Sequence, residues 1–358
     1  MKIMVVGDIS LGRTIEKYNV INHISNNIIQ LLKKADISFC NLESPLTNSI
    51  EKQIVHYSKL LKNNDTVYIK SYPENAKILS DMGFSIVSIA NNHIMDYKDQ
   101  GLKDTIKALY FYNIRYVGAG LNLLMARKPE IIEKNENKIG FLAYSFTYEA
   151  TNFSAGCAPL WPPMIKKDIE KLKERCNIIV VSLHFGEEYD NSPSFSEIKF
   201  CRSLIDNGAT VILGHHSHVL RGIERYKDGL IAYGLGNFIF DSHICDLDND
   251  QDIKEKTRET MILELEFNNN QLEKWKIHPI YINNIGFPII PLNGKKQDIL
   301  KNINNDLILK VDDHKTDKNK FYSKRLIPFI KLFSISVYKG NITNVFLLLM
   351  RVLVGVKK

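Results

Sequence analysis

The stretch ATVILGHHSHV, residues 209–219, joins an apolar run to a cluster of three histidines, in a chain of 358 residues that has 10 histidines in all. The run is rich in β-branched residues and is typical of a buried β-strand. In an extended segment, residues two apart point the same way, so we expect His216 and His218 to face one ion and His215 to point elsewhere and be replaceable. Neutral imidazoles bind zinc, manganese or iron. A solvated loop, or histidines bonded to backbone groups, would give the same pattern.

Other apolar runs along the chain also end in polar residues, and they alternate with segments of helical periodicity. This order predicts an α/β fold whose strands present ligand-binding residues at their carboxyl ends. The runs are KIMVVGD at 2–8, ISFCNLE at 37–43, SIVSIANNH at 85–93 and NIIVVSLH at 177–184.

Each polar strand end has two interpretations when it is taken alone. Asp8, which follows a glycine that permits a tight turn, is a candidate cation ligand, but an aspartate after a strand is often a helix N-cap. The group Asn92, His93 and Asp96 combines an oxygen ligand with an acid or base, but is also typical of a turn. Taken together with Glu43 and the histidines, these donors predict a site for one or two divalent ions that would bind a phosphate.

Composition places the chain among soluble globular proteins. Its five cysteines are scattered and form no CxxC pair, which favours reduced thiols in a cytoplasmic protein. Neither an export signal nor an apolar run long enough to span a membrane is visible. The expected location is therefore the cytoplasm, including the inner face of the membrane.

The last 41 residues, 318–358, carry nine basic residues and no acidic one, so the other 317 residues have a net charge of −2 within a total of +7. We expect one domain over residues 1–295, followed by a linker and this basic, apolar tail over 296–358. Two interpretations of the tail are open: peripheral contact with anionic lipid, or a helical pair packed on the domain or on a partner subunit. Nucleic acid is not an expected partner, because no recognised binding motif accompanies the charge.

Seven motifs in order resemble those of the bacterial capsule-synthesis family (CapA, poly-gamma-glutamate capsule), which is related to the calcineurin-like metallophosphoesterases. The resemblance covers roughly residues 1–245 and implies a four-layer α/β/β/α sandwich with metals at the strand ends. The motifs are GDISLGR, NLESPLT, ANNHIMDY, GAG, HFGEEY, GHHSHVLRGIE and YGLGNFIFD.

The resemblance implies roles for residues at matching positions. His93 matches the acid that contacts the transition state, and Glu43 is the nearest counterpart of the bridging aspartate. Ser10 stands where the phosphoesterases have a ligand histidine, which puts ordinary phosphatase activity in doubt. The residues that match metal ligands are Asp8, Asn92, His184, His216 and His218.

Further residues of these motifs are candidates for catalysis, with structural roles as the alternative. Arg13 has the chemistry to bind an anionic group. Asp96 is expected to orient His93, and Glu188 to orient His184. Asn237, with Asp241, is expected near the site on the last shared strands.

The resulting prediction is a metal-dependent hydrolase of capsule or exopolymer biosynthesis. One or two ions of manganese, zinc or iron would act on a capsule or polymer precursor, at a phosphate ester or a polymer amide. The alternative is a non-catalytic accessory or scaffold subunit of a polymer synthesis or export complex. Ser10 favours the alternative, whereas the retained ligand residues disfavour it.

Overall fold

The computed structural model describes residues 1–54, 67–241 and 251–311, with side chains up to residue 303. Its larger sheet contains eight strands in the order β16-β15-β14-β1-β2-β3-β4, with β13 paired to β1. Strands β2, β3, β4 and β13 run parallel to β1. Strand β14 is antiparallel to β1, and β14, β15 and β16 form an antiparallel meander. The strands are β1 Lys2–Ile9, β2 Ile37–Leu42, β3 Ile86–Ser88, β4 Arg115–Val117, β13 Asn237–Ile239, β14 Glu259–Asn268, β15 Gln271–Ile282 and β16 Pro288–Ile289.

A second sheet has the strand order β11-β12-β10-β9-β7-β6. Its four inner strands are parallel, and its two edge strands are antiparallel to their neighbours. Its strands are β6 Glu130–Lys134, β7 Asn137–Ser145, β9 Ile178–His184, β10 Val211–His215, β11 Ile223–Tyr226 and β12 Gly229–Ala232, and a separate short pair consists of β5 Ala119–Gly120 and β8 Gly156–Cys157.

Nine α-helices lie in the described part of the chain, together with 3₁₀ turns at Arg13–Lys17 and Pro73–Asn75. None of them is long and apolar enough to cross a membrane. The helices are α1 Val20–His23, α2 Asn26–Lys33, α3 Ala76–Met82, α4 Lys98–Phe111, α5 Leu123–Ala126, α6 Pro162–Lys173, α7 Phe195–Asp206, α8 Gln251–Lys256 and α9 Asn293–Val311.

Three buried apolar clusters correspond to the three interfaces of a four-layer sandwich. Along β1, Met4 and Val6 pack toward α1–α4, whereas Ile3 and Val5 pack against the second sheet. Strand β9 repeats this alternation between the sheet interface and the side covered by α6 and α7. Strands buried on both faces explain the continuous apolar runs in the sequence. The predicted α/β/β/α sandwich is confirmed.

Helix α9 runs across the boundary predicted between residues 295 and 296. Ile299 and Ile303 on this helix are buried in the cluster between the sheets, so the compact unit extends over Met1–Lys310. The helix continues the domain because its apolar side chains complete that cluster. The predicted tail, 318–358, lies outside the described residues.

Gly7 has a different role from the tight turn expected of it. It lies inside β1, where a Cβ atom would overlap the backbone carbonyl oxygen of Gly236. Only a residue without a side chain allows this close approach of the two backbone segments. The contact fixes the segment before β13 beside the end of β1.

Candidate metal centre

Strand pairing brings the polar strand ends of the two sheets to one edge. In the larger sheet, Asp8 of β1 lies opposite Asn41 of β2 and Asn237 of β13. In the second sheet, His184 of β9 lies opposite His215 of β10. Because the parallel strands end here, side chains far apart in sequence share one buried space.

Two groups of three side chains are arranged so that each could hold a metal ion. All of these side chains are buried. One carboxylate is common to both groups, so a site for two neighbouring ions would share it. The groups are Asp8, Glu43 and His184, and Glu43, His216 and His218, with ligand atoms within 4.8 Å of one another in each.

Two buried polar atoms in these groups fit a bound cation. Glu43 Oε1 and His216 Nδ1 have no hydrogen-bond partner among the described residues. A buried polar atom without a partner costs about 1–3 kcal/mol, and more when it is charged. Burial, followed by the charge of Asp8, raises the pKa of Glu43 well above its ordinary value. A cation at this point would offset both effects.

The protonation states of the other ligand candidates also suit a metal. Burial lowers the pKa of His184 well below its ordinary value, and it lowers the pKa of His216 to about 4. Both imidazoles are therefore neutral at pH 7 and keep a lone pair for a cation. Burial by itself would raise the pKa of Asp8, but the hydrogen bond from His215 and the nearby histidines lower it.

The two histidines of the second group converge through a strained loop. Strand β10 ends at His215, and His216 and His218 have φ angles of 88° and 58°. The expectation of an extended segment is therefore wrong, although both rings do approach Glu43. Non-glycine residues in this region store about 1–3 kcal/mol each, and such strain is concentrated at functional sites.

Three hydrogen bonds orient the imidazole rings. Asp96 Oδ2 lies 2.8 Å from His93 Nδ1, in the relation expected for these two residues. Asn237 Oδ1 lies 2.8 Å from His218 Nδ1. His184 Nε2 lies 2.8 Å from the amide oxygen of the predicted ligand Asn92.

Glu188 lies in a different place from the one expected. Its Oε1 atom is 3.9 Å from Nε2 of His216, so the expectation that it orients His184 is wrong. The rings of His184 and His216 are neighbours, with centroids 4.7 Å apart. Glu188, in the loop after β9, lies beside the His216 ring. Glu188 is part of the rim of the site, since its side chain is 43% exposed.

Arg13, the predicted anion-binding residue, follows the end of β1 in the left-handed region, at φ 59°. Its Nε atom lies 3.7 Å from Asp241 Oδ2, and its side chain is 37% exposed. Asp241 follows β13 and also accepts a hydrogen bond from the backbone N–H of Thr14. Arg13 is therefore partly exposed to solvent, and a buried carboxylate lies beside its guanidinium group.

The polar network contains contacts that the sequence analysis did not predict. Asn41 Nδ2 donates to Asp8 Oδ1 at 2.9 Å, and Asn91 Nδ2 donates to Asn41 Oδ1 at 3.2 Å. His215 Nδ1 lies 2.9 Å from Asp8 Oδ1, which contradicts the expectation that His215 points away from the ligands. In the sequence, only position indicates these residues, because Asn41 precedes Glu43 by two residues and Asn91 adjoins Asn92.

Ser10 follows the end of β1, two residues after Asp8. Its hydroxyl is buried and has no hydrogen-bond partner in the described ranges. The position that resembles a ligand histidine of the phosphoesterases therefore holds a short, neutral oxygen donor.

The fold and the site together define a four-layer α/β/β/α protein with a buried cluster of His, Asp and Glu side chains at its strand ends that could hold a metal ion. Residues 2–242 match the family described as "Bacterial capsule synthesis protein PGA_cap". The chain belongs to this family, which confirms the resemblance seen in its motifs.

Curated relatives carry related names. "PGA biosynthesis protein CapA" of Bacillus subtilis strain 168 is 30% identical over 334 residues, covering 90% of this chain and 83% of the relative. "Capsule biosynthesis protein CapA" of Bacillus anthracis is 34% identical over 251 residues, covering 66% of this chain and 59% of the relative. A solved structure of a "novel phosphatase" from Mycoplasma pneumoniae has a TM-score of 0.48 at 18% identity, covering 84% of this chain and 96% of that one. That degree of similarity carries no inference about activity.

Proposed function

We propose that this protein is a metal-dependent hydrolase of capsule or exopolymer biosynthesis. The observation that carries the proposal is the pair of buried ligand groups that share Glu43, with unpartnered polar atoms on Glu43 and His216. Family membership supports the pathway, and the two ligand groups support the chemistry.

The donor set of imidazole nitrogens and carboxylate oxygens favours manganese, zinc or iron over magnesium or calcium. When bound, such an ion would lower the pKa of a coordinated water and polarise the bond to be cleaved. Asp8, Glu43 and His184 would hold one ion, and Glu43, His216 and His218 a second. Asn92 adds an amide oxygen next to His184.

His93 is the candidate proton donor to the leaving group. Its Nδ1 is engaged by Asp96, which holds the ring in one orientation, and the proton would be donated through the other ring nitrogen, Nε2. The Asp96 carboxylate is held in turn by the backbone N–H of Ile69 at 2.8 Å. Arg13 at the rim would bind an anionic part of the substrate.

Two substrate classes are consistent with the proposal: a phosphate ester of a capsule precursor, and an amide bond of a polymer of the poly-gamma-glutamate type. The second class is supported by the name of the Bacillus subtilis relative. Contact of residues 318–358 with the inner face of the membrane would place the enzyme beside membrane-bound synthesis.

The second candidate function is a non-catalytic accessory subunit of a polymer synthesis or export complex. Ser10, at the position of a ligand histidine in the phosphoesterases, favours it. A relative in Mycobacterium tuberculosis is described as a "Probable polyglutamine synthesis accessory protein", at 28% identity over 58% of this chain.

Metal content and hydrolysis together test the two functions. Full-length protein purified without chelator is analysed for manganese, zinc and iron, and is then assayed on phosphomonoesters, phosphodiesters and poly-gamma-glutamate. The hydrolase requires bound metal and activity that His93→Ala removes. His278→Gln is the matched control, because His278 pairs with Glu264 outside the site. A wild-type protein without metal refutes the hydrolase, and bound metal without hydrolysis of any of these substrates favours the accessory subunit.

A further inference from the structure

We propose that His215 is a positioning residue that fixes the carboxylate of Asp8 for metal binding. This inference rests on the proposed metal dependence and adds a residue to which the resemblance gives no ligand role. His215 is the histidine of the GHHSHV cluster that lies in neither ligand group.

Three N–H groups hold the Asp8 carboxylate. Oδ1 accepts hydrogen bonds from His215 Nδ1 and Asn41 Nδ2, each at 2.9 Å, and Oδ2 accepts one from the backbone N–H of His216 at 3.2 Å. An ionised carboxylate has about four acceptor positions, so this pattern leaves capacity on Oδ2 and little on Oδ1. His215 thereby sets both the plane of the carboxylate and the oxygen that remains available.

The buried setting of His215 shows what its imidazole contributes. The side chains of His215 and Asp8 are both fully buried, and the His215 ring lies near Phe39 with centroids 6.3 Å apart. When Nδ1 donates to Asp8, the lone pair of Nε2 has no partner among the residues described. A phenylalanine would fill this space without an unpartnered nitrogen. The benefit that offsets the unpartnered atom is the hydrogen bond to Asp8.

The strand register makes this contact specific. His215 is the last residue of β10, opposite His184 of β9, so its ring stands between the two sheets at the level of the ligand residues. His216 then leaves the strand with positive φ and turns toward Glu188. The three crowded histidines therefore divide into one that supports Asp8 from between the sheets and two that belong to the ligand group.

The test compares two variants of the full chain by their affinity for Mn²⁺ and Zn²⁺. His215→Phe keeps the packing and removes the donor. His215→Asn places an amide N–H near the position of Nδ1 and retains the donor. Apparent Kd is measured on metal-stripped protein by competition with a chelating dye, and thermal melting without metal reports folding. Loss of a residue that supports a metal ligand weakens metal binding by about 10–100-fold.

We expect that weakening in His215→Phe, with a cooperative melting transition that shows a folded protein, and near-wild-type affinity in His215→Asn. Should His215→Phe be insoluble, His215→Leu replaces it as the variant without a donor. Wild-type affinity in the variant without a donor overturns the role of His215 alone. A wild-type chain that binds neither ion overturns the proposed function and this role with it.

Discussion

Replacing Glu43 by glutamine removes an ionisable carboxyl group from a fully buried position beside Asp8 while keeping the shape of the side chain. Without metal, the charge of Glu43 is disfavoured by burial and by Asp8, and Oε1 has no hydrogen-bond partner in the described part of the chain. Glutamine needs less solvation and its amide can donate to a carboxylate. We therefore expect Glu43→Gln to stabilise the metal-free protein.

The size of the effect follows from the cost of one unpartnered buried polar atom, about 1–3 kcal/mol. The compact unit spans Met1–Lys310. At an unfolding entropy of about 2.1 cal/mol/K per residue, this free energy corresponds to a rise in Tm of about 1.5–5 °C. The same change removes a ligand common to both groups. Saturating Mn²⁺ at about 100 times Kd adds about 2.7 kcal/mol to the wild type and is expected to add much less to the variant.

Glu264→Gln is the matched control, because Glu264 is a buried glutamate whose two carboxylate oxygens both have side-chain partners. Lys2 Nζ lies 2.7 Å from Oε1 and His278 Nε2 lies 2.6 Å from Oε2. Burial by itself raises the pKa of Glu264, but these partners lower it. Removing its charge should therefore lower Tm. Calorimetry on chelator-stripped protein measures both variants, and a fall in Tm for Glu43→Gln would refute the reasoning.

Three further predictions concern other positions. Arg221→Met should destabilise the protein by about 3 kcal/mol in urea unfolding, since the buried guanidinium donates to two loop carbonyls at 2.7 and 2.8 Å. Gly7→Ala should lose about 3 kcal/mol or more in the same measurement, because its new methyl group meets the carbonyl of Gly236; an unchanged midpoint would contradict the close approach. His93→Ala should lower kcat by about 10²–10⁴ with unchanged metal content, and Asp96→Asn should lower kcat less. A fall in the metal content of His93→Ala that matches its fall in kcat would instead make His93 a metal ligand.

Much of the fold could be predicted from local pattern. Runs such as residues 177–184 are apolar without a break because β9 is buried on both faces, and alternation with helical segments then indicates an α/β architecture. Ile299 and Ile303 lie beyond the boundary predicted at residue 295, and their weak local pattern does not indicate their burial where α9 meets the sheets.

The site was predictable in its residue types and only partly in its contacts. Asp8, Glu43, His184, His216 and His218 come together because parallel strands end at one edge, which a sequence motif can indicate. The assignment of Glu188 to His184 rested on their separation of four residues. That separation does not determine whether the Glu188 side chain lies beside His184 or beside the adjacent ring of His216.

The sequence by itself determined the residue types, the strand–helix order and the family, since these depend on local periodicity and on motifs read in order. Only the tertiary structure decided how the histidines of GHHSHV divide. Strand β10 ends at His215 and the next residues take positive φ, so a simple alternation of side chains does not apply. His215 instead meets Asp8, which is 207 residues away in sequence, because two separate sheets pack face to face.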